Sequence, residues 1–204
     1  MTTPKLYTKL PQYLRCGNFF VKINPAFHVV LQCQQIINDT ILTEQEKVDL
    51  CVSRIICPGF FMHVFSGKQR KLIFKEYFEN FVQMGPTKND HSARAFDFTQ
   101  DATYIYAAFW QCYGIDLLGT HKNLHWWKFM MLLGGLSSDT RFMEIVGIRT
   151  AKLPKPTKYN AEMRADLMRK KALFGLKLSE EERTANVQQG FVKLAVMLES
   201  WAQR

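Results

Sequence analysis

Phe96-Asp-Phe-Thr-Gln-Asp-Ala-Thr-Tyr-Ile-Tyr-Ala-Ala-Phe-Trp-Gln-Cys-Tyr-Gly114 reads as one helix with a start and a stop written into it. Asp97 or Thr99 can accept an orphan N–H at its beginning, and Gly114 can close it in a left-handed turn. The spacing predicts a second helix from about Thr120 through Leu133, closed by Gly134-Gly135. A third, capped by Ser138 or Asp139, should run from Phe142 to about Ile148. Three helices with short connections pack on their sequence neighbours, which makes the centre of the chain a helical bundle.

Toward the N-terminus the same period continues. Phe27, Val30, Leu31 and Ile37 form an apolar stripe after Pro25, and Asn38-Asp39 ends it. Thr43 with Glu46 makes a capping box ahead of Val48, Leu50, Val52, Ile55 and Ile56, and Pro58-Gly59 breaks that helix. A further amphipathic helix is predicted from about Lys68 to Met84, stopped by Gly85-Pro86, with a polar loop over Thr87 to Ala95. Before all of these, Gly17-Asn18 lies between two stretches of alternating polarity, Tyr13 to Ile23 overall, which predicts a short β-hairpin. A lone hairpin is marginal in water, so it should lie against the helices.

Toward the C-terminus, Lys152-Leu-Pro-Lys-Pro156 resists both helix and central strand and reads as a linker. A basic helix follows, about Tyr159 to Phe174. Ser179 with Glu182 then opens a final amphipathic helix bearing Val187, Phe191, Leu194, Ala195, Leu198 and Trp201. The fold class expected is therefore mainly α: a helical bundle with a small N-terminal β-hairpin, a C-terminal basic helix and a final amphipathic helix. Residues 1–175 should form a single helical domain and 176–204 a helical extension.

Composition bounds what such a fold can do. In 204 residues, 47% hydrophobic and 22% charged residues match a soluble globular protein and argue against disorder. Sixteen Phe, seven Tyr and four Trp supply much apolar area for cores or interfaces. The net charge of +9 favours acidic partners without choosing among them. Five scattered cysteines, Cys16, Cys33, Cys51, Cys57 and Cys112, read as reduced thiols, and no apolar run approaches a membrane span; both suit a cytoplasmic protein.

Catalytic signatures are missing: the chain has no Walker loop, dinucleotide fingerprint, nucleophile elbow or His-Glu-x-x-His pair. His121 and His125 at i, i+4 could share a helix face and a metal ion, but no further ligand is evident in sequence. Asp97, Asp101 and Asp116 could serve acid–base chemistry, although capping accounts for the first two. Cys57 reads as a buried apolar group. No catalytic, cofactor-binding or metal-binding residue is assigned, and the chain is read as a non-enzyme.

Trp126 shares a helical face with Phe129 and Met130, while Trp127, Met131 and Gly134 occupy another, so most of these rings should be core. Tyr104, Tyr106, Trp110 and Met131 are the candidates to reach a protein partner, because Tyr, Trp and Met are enriched at interfaces. Arg164, Arg169, Lys170 and Lys171 form a basic patch for an acidic partner, with Glu162 and Asp166 diluting it. Nucleic-acid binding through that patch is the lesser reading.

The block Phe96 to Phe109, then Tyr113-Gly-Ile-Asp-Leu117, Leu124-His-Trp-Trp-Lys-Phe129, Gly135-Leu-Ser-Ser-Asp-Thr-Arg-Phe142 and Ile145-Val-Gly-Ile-Arg149, resembles the phage "gp-fifteen" family in wording and order. The likeness covers about Leu10 to Leu173. That family is typically encoded between the major tail protein and the tape measure protein of long-tailed phages of Gram-positive hosts. The resemblance implies a tail-assembly chaperone, acting in the host cytoplasm and absent from the mature virion, with the tape measure protein and tail tube protein as partners and self-association open. It supplies no catalytic residue, no cofactor and no membrane contact. The alternatives are a virion structural component, such as a tail-completion or terminator subunit, and a DNA-associated phage protein.

Overall fold

The structure, a computed structural model, describes residue 7 and residues 9–57, 64–82, 95–119 and 121–177. Within these, a two-stranded hairpin, β1 (Tyr13–Cys16) and β2 (Phe19–Lys22), precedes seven helices: α1 (Phe27–Ile37), α2 (Glu44–Ile55), α3 (Gly67–Glu76), α4 (Ala102–Tyr113), α5 (Trp126–Gly134), α6 (Arg141–Thr150) and α7 (Ala161–Phe174). The protein is mainly α with an N-terminal hairpin, as its periodicities imply. The final helix with its Ser179–Glu182 cap and the breakers Pro58-Gly59 and Gly85-Pro86 lie outside the described residues. By its contacts the chain divides into two compact units, one of Met1–Ala93 with Asp101–Glu144, the other of Arg94–Gln100 with Ile145–Arg204.

In the first unit, Gly17 takes φ 60°, the left-handed turn that a two-residue hairpin needs. The register Leu14↔Val21 and Cys16↔Phe19 turns Leu14, Cys16 and Val21 inward, all buried, against α3. Thr43 and Glu46 form the capping box at the start of α2. Ser66 and Gln69 form a second one at the start of α3, the Gln variant of the same motif. α3 continues into a π-helical segment, Tyr77–Val82, which buries Tyr77 and Phe81. α1 packs on α2 and α5, α2 on α3, and α4 on α5. Between α1 and α2, Cys33 and Cys51 are buried, each Sγ directed at the other's carbonyl oxygen at 3.9 and 3.7 Å.

Three boundaries differ from the sequence expectation. α5 begins at Trp126 instead of Thr120, because residues 116–119 and 121–124 are held in turns by Asp116 and by a bridge to the start of α1. α4 begins at Ala102, since Asp97 uses its carboxylate on the N–H groups of Thr99 and Gln100 in a turn of its own. α6 begins at Arg141, and Thr140, in place of Ser138 or Asp139, accepts from the Met143 N–H. Gly114 ends α4 at φ 62°, as its position predicts.

In the second unit, α7 buries none of its residues. It is tied by Arg149, whose guanidinium donates to the carbonyls of Phe174 and Ala95, and by Lys171, whose ammonium donates to the Arg149 carbonyl at 2.6 Å. The Pro154–Pro156 stretch carries no regular structure.

Candidate functional site

The run His125-Trp-Trp-Lys-Phe129 is the hub of the first unit. Its backbone joins the start of α1: the Phe27 N–H donates to the Leu124 carbonyl at 2.9 Å and the Trp126 N–H to the Pro25 carbonyl at 2.7 Å. Its rings fill the core: Phe129 stacks on Phe27 at 4.6 Å, on Phe109 at 5.1 Å and on Trp126 at 5.8 Å between centroids. The indole N–H of Trp127 donates to the Phe81 carbonyl at 2.8 Å, and that of Trp126 to the Val82 carbonyl at 3.1 Å. Two consecutive Trp residues thus donate to two consecutive carbonyls of the π-helical segment.

His125 is the N-cap of α5, so it does not share a helix face with His121. Its Nδ1 accepts the Trp127 N–H at 3.1 Å, and its Nε2 lies 3.0 Å from the Pro11 carbonyl, which draws the segment leading into β1 onto the hub. Burial holds its pKa below the ordinary histidine value, with the nearby Lys128 ammonium acting the same way and the Pro11 carbonyl opposing it. His121 lies in the preceding turn, where its Nδ1 accepts the Asp116 N–H at 3.3 Å. Among the described residues no group of three or more His, Cys, Asp or Glu could hold a metal ion.

The sequence candidates for partner contact fall in two places. On α4 and α5, Trp110 is 56% and Met131 46% exposed, whereas Tyr104 and Tyr106 are half-buried. Tyr106 donates to the Asp116 carboxylate at 3.4 Å. No hydrogen bond or ring contact among the described residues links these four to one another. On α7, Asp166 meets Lys170 at 2.8 Å and Arg169 at 3.8 Å, and Lys171 is engaged by the Arg149 carbonyl. Three of the four cations proposed for an acidic partner therefore have internal partners, leaving Arg164 half-exposed on that helix.

A second surface was not singled out from sequence. Beside the hub, Lys9, Leu10, Tyr13, Pro25, His125 and Lys128 help line an open cleft of about 950 Å³. Two of its lining residues are lysines and none described is acidic. It runs along the segment entering β1, whose Tyr13 is 59% exposed. The signal was available: a two-stranded sheet has two edges, and the chain carries no acidic residue before Asp39.

The description "Bacteriophage Gp15 protein" matches residues 9–176. The chain belongs to the bacteriophage Gp15 protein family. It is a phage protein, and the match covers the hairpin, the seven described helices and the hub. No curated protein and no solved structure matches it. For this Gp15 family member, no described helix is long and apolar enough to cross a membrane.

Proposed function

We propose that the protein is a tail-assembly chaperone, which works in the host cytoplasm by binding the tape measure protein and assisting assembly of the tail tube, without catalysing a reaction. The observation that carries this reading is the family membership over residues 9–176. The geometry supports a binding role: the hub consumes Trp126, Trp127 and Phe129 internally, while Trp110 and Met131 stay largely exposed on adjacent helices. Exposed large aromatic and thioether side chains are the usual anchors of protein recognition.

Mass spectrometry of a tagged copy recovered from infected cells, beside purified virions, tests the proposal. Tape measure protein in the recovered fraction, with this chain absent from virions, is the expected result. Stable presence in virions would make it a structural tail component. A DNA-associated role is less favoured by the internal pairing of Arg169, Lys170 and Lys171.

A further inference from the structure

The two edges of the hairpin are not equivalent. Ile23 donates its N–H to the Gln12 carbonyl at 2.9 Å. With the pleat's period of two, Gln12, Leu14 and Cys16 then direct their main-chain groups at β2, and Tyr13 and Arg15 direct theirs away from it. The outer edge of β2 is closed over Lys22–Asn24: the Cys57 N–H donates to the Lys22 carbonyl, the Asn24 N–H donates to the Ile55 carbonyl, and Ile23 bridges Ile56. Among the described residues no hydrogen bond takes the main-chain N–H or C=O of Tyr13 or Arg15, and both residues are exposed. β1 also contains no proline and no bulge. It therefore offers alternating donors and acceptors at strand spacing, the template that another chain completes.

The surroundings select the chain. The exposed face of the hairpin carries Tyr13 and Arg15 opposite Lys22 and Phe20, with Phe20 66% exposed. Tyr13 and Phe20 are diagonal neighbours across the two strands, an aromatic pair framed by two cations. The cleft that continues from β1 adds Lys9 and Lys128. Pairing β1 with a second copy of itself would set two edges that each carry Lys9 and Arg15 side by side, and like charges across a ladder repel. A nucleic acid would match the cations but not the edge, because phosphate oxygens accept hydrogen bonds and cannot satisfy the free carbonyls of Tyr13 and Arg15.

We infer that the free edge of β1, together with the basic cleft leading into it, receives an extended acidic polypeptide segment of a partner protein as a third strand. This deepens the binding role proposed above by giving the site and the partner's chemistry, and it rests on that role only in requiring a protein partner.

The test uses the full-length, isotope-labelled protein and an alternating Glu-Val heptapeptide, with the matching Lys-Val peptide and an oligothymidylate as comparisons. Binding of the Glu-Val peptide should slow amide exchange at Tyr13 and Arg15, and the Lys-Val peptide should leave both unchanged. Arg15→Pro deletes one outward donor without touching the β1–β2 ladder, a place where an edge strand tolerates proline. It should weaken peptide binding by about tenfold, near 1.4 kcal/mol. Arg15→Glu keeps the backbone and should weaken the acidic peptide while admitting the basic one. No binding of the Glu-Val peptide at millimolar concentration, binding that leaves the Tyr13 and Arg15 amides unprotected, or an oligothymidylate that competes for the same amides would each overturn the inference. The two proposals separate in infected cells. If Arg15→Pro still recovers the tape measure protein as wild type does, this site is wrong and the chaperone role stands. If wild type protects its edge with peptide but recovers no tail protein, the reverse holds.

Discussion

The imidazole of His125 holds its single proton in a location that two contacts fix. Nδ1 accepts the Trp127 N–H, so Nε2 carries the hydrogen and donates to the Pro11 carbonyl. A second proton would displace the Trp127 N–H and place a cation at a helix N-terminus, which the helix dipole disfavours. The folded pKa therefore lies below the ordinary value of 6.5, with burial the largest cause. The sign follows: above pH 6.5 both folded and unfolded chains hold neutral His125, and below it the unfolded chain takes up the proton first. Stability should fall as the pH drops from 6.5 toward the folded pKa, measured as urea unfolding across that range. His125→Asn, which keeps an N-cap oxygen, should flatten the acid slope. Tyr77 is the converse case, because its hydroxyl is buried with no hydrogen-bond partner among the described residues. Tyr77→Phe should leave stability unchanged or raise it by about 1 kcal/mol, since an unmet buried donor costs about 1–3 kcal/mol; a loss above that on chemical unfolding would mean the hydroxyl has a structural use.

Elements begin and end where a side chain can stand in for the missing backbone partner. Trp127→Phe keeps most of the apolar surface but withdraws the N–H from the Phe81 carbonyl, so unfolding should become easier by about 1–3 kcal/mol, with the loss of protection on hydrogen exchange confined first to the π-helical segment. Trp126→Phe should act in the same way on the Val82 carbonyl, and wild-type stability in both variants would refute the capping account. Such devices divide into those a sequence displays and those it conceals. Thr43-x-x-Glu46 could be read directly because both partners lie within one turn, and Ser66-x-x-Gln69 has the same local form. The indole caps join residues 44 and 46 positions apart, so helical period could assign Trp126 and Trp127 to faces but not to their acceptors. The late start of α5 has the same origin: apolar spacing extends the helix back to Thr120, but the bridge between Ala26 and His125 draws the backbone into extended geometry. A π-helical segment after α3 leaves no local mark in Tyr77–Val82 beyond a helical composition.

For the molecule as a whole, the mainly helical class and the hairpin were legible because they rest on period and turn chemistry. The division into two compact units was not, since it depends on which distant segments meet: residues 94–100 group with residues 145–204 across an intervening bundle segment. Within that second unit Arg149 is the principal tie, reaching Phe174 and Ala95 from one side chain. Arg149→Ala should raise amide exchange and protease cleavage in α7 while α5 keeps its protection; parallel loosening of both helices would show that the units unfold as one. The site suffered the same asymmetry of legibility. Trp110 and Met131 could be proposed from residue type, but the free edge of β1 emerges only when the Cys57–Lys22 bond shows which edge is already closed.

The hub also sets a timetable. His125 reaches back 114 residues to Pro11, and its neighbours reach Pro25, Phe81 and Val82, so the pieces that the hub clasps are all made before the hub itself. A chain emerging N-terminus first can pair its hairpin and wind its early helices by local bonds. It cannot fasten them together until residues 125–129 have left the ribosome. Every nascent chain thus passes through a period in which the segment entering β1 is untethered and the carbonyls of Phe81 and Val82 await the indoles of two tryptophans not yet synthesised.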